Sequence, residues 1–263
     1  MESPQLITSL SNPLVKKVRA LRHRKTRVTS GLFLVEGIHH VGSALEADWK
    51  TDTLLYASDL LTSDYAQSLL DEALRTGIAL QPVSAKVMES LTEKDNPQGI
   101  LAVVRQRSLT FDDVHGFHCG VALISPQDPG NVGTILRTLD AVGADVLFML
   151  EGGVELYHPT CVRASMGTLF WKHVVQASFN EFQQWVNKAG FQLIGTSAHA
   201  KADYREVKLE NSPWVLLLGS EQKGLSNEQI AACDTTVSLP MRGKVSSLNL
   251  AVAAGILLYA LSE

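Results

Sequence analysis

Cysteine is scarce in this chain: Cys119, Cys161 and Cys233 are the only three in 263 residues, far apart and with no CxxC pair. That excludes a disulfide framework and a zinc ribbon, and neighbours that are apolar or small make these reduced, buried thiols. Charged residues are also few, 19% of the chain with a net charge of −4, so a uniformly basic nucleic-acid coat is excluded. No apolar run reaches the roughly 20 residues that cross a bilayer. Met1 to Thr8 has no basic n-region leading into an apolar h-region, and Glu2 with few early cations does not suit a transit peptide. The expectation is a cytoplasmic protein with no membrane partner. Gly243-Lys244 precedes Val245 where a phosphate loop needs Ser or Thr, no GxGxxG follows a strand, and His199 stands where a GxSxG elbow needs its last Gly. His115, His118 and Cys119 have no second cluster to complete a metal site, so no metal is expected.

What is present is an apolar content of 45%, enough for a substantial core in one or two domains. Seven cations, Lys16, Lys17, Arg19, Arg22, Arg24, Lys25 and Arg27, fall in one stretch with no acid, leaving −11 on the rest of the chain. A contact with a polyanion such as RNA fits that asymmetry, and so does a solvated helix face. Asn12-Pro13 starts the helix that leads into them, with Leu14, Val15, Val18 and Leu21 on its apolar side and the cations directed elsewhere. Short strands at 32–35, 54–57, 79–83 and 100–104 alternate with helices at 37–47, 63–75 and 85–91, the pattern of a small α/β sandwich. Residues 105–118 lose periodicity and read as a linker. Beyond it, strands at 119–124, 145–150, 191–196, 214–218 and 235–239 alternate with helices at 131–142, 179–189 and 227–232. This predicts a mainly parallel sheet with ligands beyond the carboxyl ends of its strands. Val162–Phe170 is helix-like, with Arg163 open to function or surface and Met166 and Leu169 assigned to packing.

Three strand-to-helix junctions share one build. In SPQDPGNVGTILR, Pro129 and Gly130 make a turn, Asn131 caps the helix, and Arg137 projects about 120° from it and one to two turns deeper. LLLGSEQKGLS ends a strand in Gly219 and follows it with Glu221. LPMRGKVSSLNLAVAAGILLYAL runs into an apolar helix whose start, near Ser246 or Ser247, offers free backbone N–H groups to an anion. Each junction alone is equally a capped core helix with surface polar residues.

Together, in this order and spacing, the junctions resemble the three motifs of the SpoU, or TrmH-like, RNA 2′-O-ribose methyltransferases of the SPOUT superfamily. NVGTILRTLDAVGAD resembles the first, LLLGSEQKGLS the second and LPMRGKVSSLNLAVAAGILLY the third, while VELYHPTCVRASMGTLF is also similar to the family. Ile7 to Ala47 and NPQGILAVV (Asn96–Val104) resemble its N-terminal L30e-like substrate-binding domain. The resemblance implies an α/β chain with an L30e-like RNA-binding domain at 1–106, a linker at 107–118 and a trefoil-knotted SPOUT domain at 119–263, acting as a homodimer.

The resemblance further implies S-adenosylmethionine as cofactor, held by Gly219, Leu239 and Leu248 with Thr196, Leu218, Met241 and Ser247 beside them. Catalysis is carried to Asn131, Arg137, Glu221, Ser247 and Asn249, and RNA binding to the seven cations. The family proposal makes the first-motif arginine a base assisted by an RNA phosphate. A guanidinium is essentially always protonated, so the expectation for Arg137 is a phosphate clamp that favours loss of the ribose proton. The second motif departs from the family pattern, with Gln222-Lys223 between Glu221 and Gly224. The expected activity is 2′-O-methylation of ribosomal RNA; the alternatives are a tRNA 2′-O-methyltransferase and a non-catalytic RNA-binding or ribosome-assembly protein.

Overall fold

The structure is a computed structural model describing residues 4–92, 97–198, 200, 202–207, 209 and 213–262. Asn96 of the NPQGILAVV stretch and His199 therefore lie outside the described residues. In chain order the elements are α1 (Pro13–Ala20), α2 (Arg24–Ser30), β1 (Leu32–Glu36), α3 (Ile38–Glu46), β2 (Thr51–Tyr56), α4 (Asp64–Arg75), β3 (Ala79–Pro82), α5 (Ala85–Leu91) and β4 (Ile100–Arg105). They continue with β5 (Cys119–Ile124), α6 (Pro129–Ala141), β6 (Val146–Leu150), α7 (Pro159–Ala164), β7 (His173–Ala177), α8 (Phe179–Ala189), β8 (Gln192–Thr196), β9 (Ala202–Asp203), β10 (Trp214–Leu218), α9 (Asn227–Ala231), β11 (Thr235–Ser238) and α10 (Leu250–Ser262). The chain divides into two compact units, 1–107 with 157–171, and 108–156 with 172–263.

The first unit is built on a four-stranded sheet in the order β1-β4-β2-β3, antiparallel except for the β2–β3 pair. Alternation along the strands divides their apolar residues between two faces. Leu32, Leu34, Leu55, Leu101 and Val103 form one core cluster with Val15, Val18 and Leu21 and with Val87, Met88 and Leu91 of α5. Asn12 caps α1 by accepting the Leu14 N–H at 2.8 Å, with Pro13 in the first helical turn. The basic stretch is not a single helix: the chain turns at Leu21–His23 before α2, and Arg27 is the post of that corner. Arg27 is 1% exposed and its guanidinium donates to the carbonyls of Leu21 (2.8 Å) and Arg22 (2.7 Å). This corrects the expectation that all seven cations point away from the core.

Two groupings differ from the divisions drawn from sequence. Residues 157–171, assigned with the rest of 119–263, belong to the first unit. Tyr157 and Phe170 supply aromatic faces to Phe33 and Trp49, with centroid distances of 4.5 Å for Phe33–Tyr157 and 5.3 Å for Trp49–Phe170, and the Trp49 indole N–H donates to the Phe170 carbonyl at 2.8 Å. Arg107 lies 4.4 Å over the Trp49 ring. The stretch read as a linker is also structured. Phe111 and Phe117 stack with Phe148, Trp185 and Phe191 in the second unit, and Val114 and Phe117 are buried. Its charged residues mask an apolar face only a few residues long.

The second unit is a seven-stranded sheet in the order β7-β6-β5-β10-β8-β11-β9, parallel throughout. The strands β5, β6 and β10 are buried along their whole length, as expected of a sheet covered on both faces. The sequence reading missed β7, whose HVVQA is half polar, and the two-residue β9. Among the described residues no helix is long and apolar enough to cross a membrane, and no cluster of three or more His, Cys, Asp or Glu is placed to hold a metal.

Candidate active site

Because β5, β10, β8 and β11 are parallel neighbours, their last residues, Ile124, Leu218, Thr196 and Ser238, end on one edge of the sheet. Leu218 pairs with Leu123, and Thr196 with Val237. The three junctions singled out in the sequence leave the sheet from this edge.

At the first junction the chain reverses through Ser125, which takes a positive φ of 43°, and α6 then begins at Pro129. The cap is Asp128, whose Oδ1 accepts the Gly130 N–H at 2.6 Å, and not Asn131, and Pro129-Gly130 is the first turn of the helix and not a turn before it. The Asp-Pro pair is the same signal that Asn12-Pro13 gives at α1, so it was available in the sequence. Relieved of capping, Asn131 turns its amide to the site.

At the second junction Gly219 is required by space. A Cβ there would lie 2.1 Å from the Gly224 carbonyl carbon and 2.4 Å from the Leu225 nitrogen. The turn doubles back on itself, with the Gly224 N–H donating to the Ser220 carbonyl at 2.9 Å and Gly224 at φ 68°. Gln222 and Lys223 stand exposed on this turn, so the departure in the second motif is absorbed by its outer side.

Glu221 rises from the same turn to meet the first junction. The Gln127 backbone N–H donates to both carboxylate oxygens, at 3.4 and 3.3 Å, and the Asn131 Nδ2 donates to Oε1 at 3.5 Å. Gln127 itself is pinned by its side-chain amide to the Ser125 carbonyl at 2.7 Å. Sequence reasoning did not find Gln127, because the group it contributes is a backbone N–H.

The third junction starts its helix later than expected. Residues 239–249 have no regular structure and α10 opens at Leu250, capped by Asn249, whose Oδ1 accepts from Ala251 (2.9 Å) and Val252 (3.3 Å). The cap is therefore Asn249 and not Ser246 or Ser247. Its amide donates to Asn131 Oδ1 at 2.9 Å, which closes a chain Asn249–Asn131–Glu221 across all three junctions.

Arg137 lies further along α6, exposed, with no hydrogen bond or ion pair to a described residue. Thr196 faces β10, its hydroxyl donating to the Leu217 carbonyl at 3.3 Å. Leu239 and Met241 are half-buried, while Ser247 and Leu248 are exposed, and neither makes a contact that joins it to the amide chain. At the edge strand β9, Asp203 is held down to about 2 by the Arg205 guanidinium bonded to it, and Arg242 of the 239–249 segment adds to the effect. The basic side chains separate into two sets. Lys16, Lys17, Arg24 and Lys25 are exposed, whereas Arg19 donates to Ser90 Oγ (2.9 Å), Arg22 to the Thr92 carbonyl (2.6 Å), and Arg27 is buried.

The model of the SpoU rRNA Methylase family matches residues 118–259, and that of the MRM3-like substrate binding domain matches residues 12–102. The chain belongs to the SpoU rRNA methylase family. Among curated SpoU-like relatives it is 36% identical to the 23S rRNA (uridine(2479)-2′-O)-methyltransferase of Streptomyces viridochromogenes, covering 91% of this chain and 85% of that one. It is 30% identical to the 23S rRNA (guanosine(2553)-2′-O)-methyltransferase RlmP of Bacillus subtilis, covering 96% and 97%. Among solved structures, an AdoMet-bound rRNA methyltransferase from Sinorhizobium meliloti superposes with a TM-score of 0.90 at 34% identity, covering 97% of this chain and 96% of that one. AviRb from Streptomyces viridochromogenes, in complex with AdoMet, gives 0.85 at 33%, covering 95% and 98%.

Proposed function

We propose that this chain is an S-adenosylmethionine-dependent 2′-O-ribose methyltransferase of ribosomal RNA, working in the cytoplasm as a homodimer. The observation that carries the reading is the chain of side chains Asn249–Asn131–Glu221, drawn from three separate junctions to one edge of the sheet. Family membership and the activities named for the relatives point the same way.

The residues present fit the cofactor. Gly219 leaves open backbone where a side chain has no room, at the carboxyl end of the central strand β10, and Thr196 meets that strand one residue earlier, its hydroxyl on the Leu217 carbonyl. In this reading Leu218, Leu239 and Met241 line the cofactor beside them. Ser247 and Leu248 would complete the wall from the 239–249 segment. When bound, S-adenosylmethionine supplies an electrophilic methyl group on a cationic sulfur. In the transfer the ribose 2′-oxygen gains the O–CH3 bond and gives up its proton to solvent, while the S–CH3 bond breaks and its electron pair stays on the sulfur as a neutral thioether.

A ribose hydroxyl is a poor nucleophile, so this chain must lower the cost of that proton loss. Arg137 does so in our reading by gripping an RNA phosphate with its guanidinium fork and stabilising the developing alkoxide by its charge. Glu221, steadied by the Gln127 N–H and the Asn131 amide, orients the nucleotide, and Asn249 fixes Asn131.

For the homodimer, the support is an apolar stripe left exposed on α10: Val252, Ile256 and Tyr259 follow at helical spacing and are 50%, 38% and 55% exposed. For the trefoil knot, in which 239–262 passes through an earlier loop, the support is the packing of α10 against both α6 and β10.

Calorimetry of the pure chain with S-adenosylmethionine tests the reading, with saturable 1:1 binding per chain expected. Absence of binding, both alone and with ribosomal RNA present, would favour a non-catalytic RNA-binding protein. Changing Lys16, Lys17, Arg24 and Lys25 together to Gln should weaken RNA binding and flatten its dependence on log salt, by about 0.7–0.9 for each phosphate no longer neutralised, with cofactor affinity intact. An unchanged slope assigns these four to solvent.

A further inference from the structure

The first unit contains a cleft that the transfer chemistry does not use. Its empty volume is about 450 Å3, open solvent at the mouth included. Leu34 and Leu101 of neighbouring strands, Leu91 of α5, and Pro159 and Val162 of α7 give it apolar walls. Four side chains with hydrogen-bonding groups break those walls: Arg22, Glu36, His40 and Arg163. Two guanidiniums against one carboxylate give the cleft a positive balance.

The polar groups are held in place. The His40 ring is 6% exposed, with Nε2 3.2 Å from the Arg163 carbonyl, which ties α3 to α7 at the cleft wall. Arg22 donates through Nη2 to the Thr92 carbonyl at 2.6 Å, while its Nε is buried without a hydrogen-bond partner among the described residues. An unmade buried donor is unfavourable, and an acceptor entering the cleft would relieve it.

Apolar walls, a cationic rim and an acceptor beside donors suit a heteroaromatic ring attached to a phosphate. Unstacked RNA bases are read in this way, on their edges and faces and away from helical regions. Among the four bases, guanine offers two adjacent N–H donors to a carboxylate and a carbonyl oxygen to a guanidinium. We infer that this cleft receives one unstacked guanine nucleotide of the RNA, with Glu36 and Arg22 reading the base edge and Arg163 holding its phosphate. The inference rests on the chain acting on RNA, and adds to that reading a base-selective anchor in the substrate-binding unit, separate from the residues that serve methyl transfer.

The test is methyl NMR of the full chain titrated with GMP, AMP, CMP and UMP. GMP at millimolar concentration is expected to shift the Leu34, Leu91, Leu101 and Val162 methyls, more strongly than the other three nucleotides. Arg163→Glu should weaken GMP binding about tenfold, as expected when one charge-assisted hydrogen bond to phosphate is removed. Its affinity for S-adenosylmethionine should not change, which also shows that the variant is folded. Shifts that are absent, equal for all four nucleotides, or unaltered by Arg163→Glu would overturn the guanine site. A chain that binds GMP in the cleft but not S-adenosylmethionine would keep this inference and sink the methyltransferase reading, so the two fail separately.

Discussion

The two units treat polar side chains in opposite ways. Arg27, His40, Ser43, Thr92, Ser165 and Thr168, the polar residues classed as buried among those described, all belong to the first unit. The second unit fills its interior with apolar side chains and keeps Asn131, Glu221 and Asn249 at or near the surface at the carboxyl edge of its sheet, with Arg137 exposed about two turns along α6. Polarity out of water must be paired, and removing one partner costs stability. Polarity left in water is loosely held and costs little to remove, so it is available for chemistry. The first unit's buried groups should therefore register in folding, and the second unit's edge groups in turnover.

The largest effect that could break this contrast is at Arg137. Arg137→Ala should lower the rate of RNA methylation on the order of 10³-fold, as the loss of charge stabilisation at a reacting centre does. Its stability should stay within about 0.5 kcal/mol of the parent, as for an exposed surface change. Arg137→Lys keeps the charge but loses the fork, so near-normal turnover in single-turnover assays would contradict the bidentate role.

Next is Arg27→Ala, which leaves the carbonyls of Leu21 and Arg22 without their buried donor. Urea unfolding should show a loss of about 3 kcal/mol, while S-adenosylmethionine affinity at fully folded conditions is retained. A small loss would mean that the corner holds without it. Smaller again is Gly219→Ala. Its Cβ would meet backbone at 2.1 Å, so the turn must open, and cofactor affinity should fall roughly 10- to 100-fold by calorimetry.

The smallest effect concerns alkaline pH. Burial pushes the Cys161 thiol from 9.0 to about 12 and the Tyr157 hydroxyl from 10.0 to about 12. Both folded values are raised, so folding favours the protonated forms. The stabilisation is complete below the unfolded values and is lost as pH rises from about 9 toward 12. Stability measured by urea titration should be level from pH 7 to 8.5 and decline above 9, with a shallower decline in Tyr157→Phe. An equal slope in that variant would remove Tyr157 from the account.

Elements with one strong local signal were legible in the sequence. Cys119–Ile124 is an unbroken apolar run and is β5 without a residue's error, and Asn12-Pro13 marks the start of α1. The site was legible as three junctions, but its wiring was not. The roles of Asn131 and Asn249 depend on which residue caps each helix, and the caps lie at Asp128 and Asn249. Arg27 looked like its basic neighbours because burial depends on the corner between two short helices, which the apolar spacing of the first helix does not encode. Residues 157–171 were placed with their sequence neighbours, whereas their partners, Phe33 and Trp49, are more than a hundred residues away.

The measurement that bears most directly on the central claim is a ribose-methylation map of ribosomal RNA from cells carrying this chain, compared with the same cells carrying Arg137→Ala at equal protein level. The account predicts that a specific 2′-O-methyl group present with the parent chain is lost in the variant while the rest of the map is unchanged. Identical maps would contradict it.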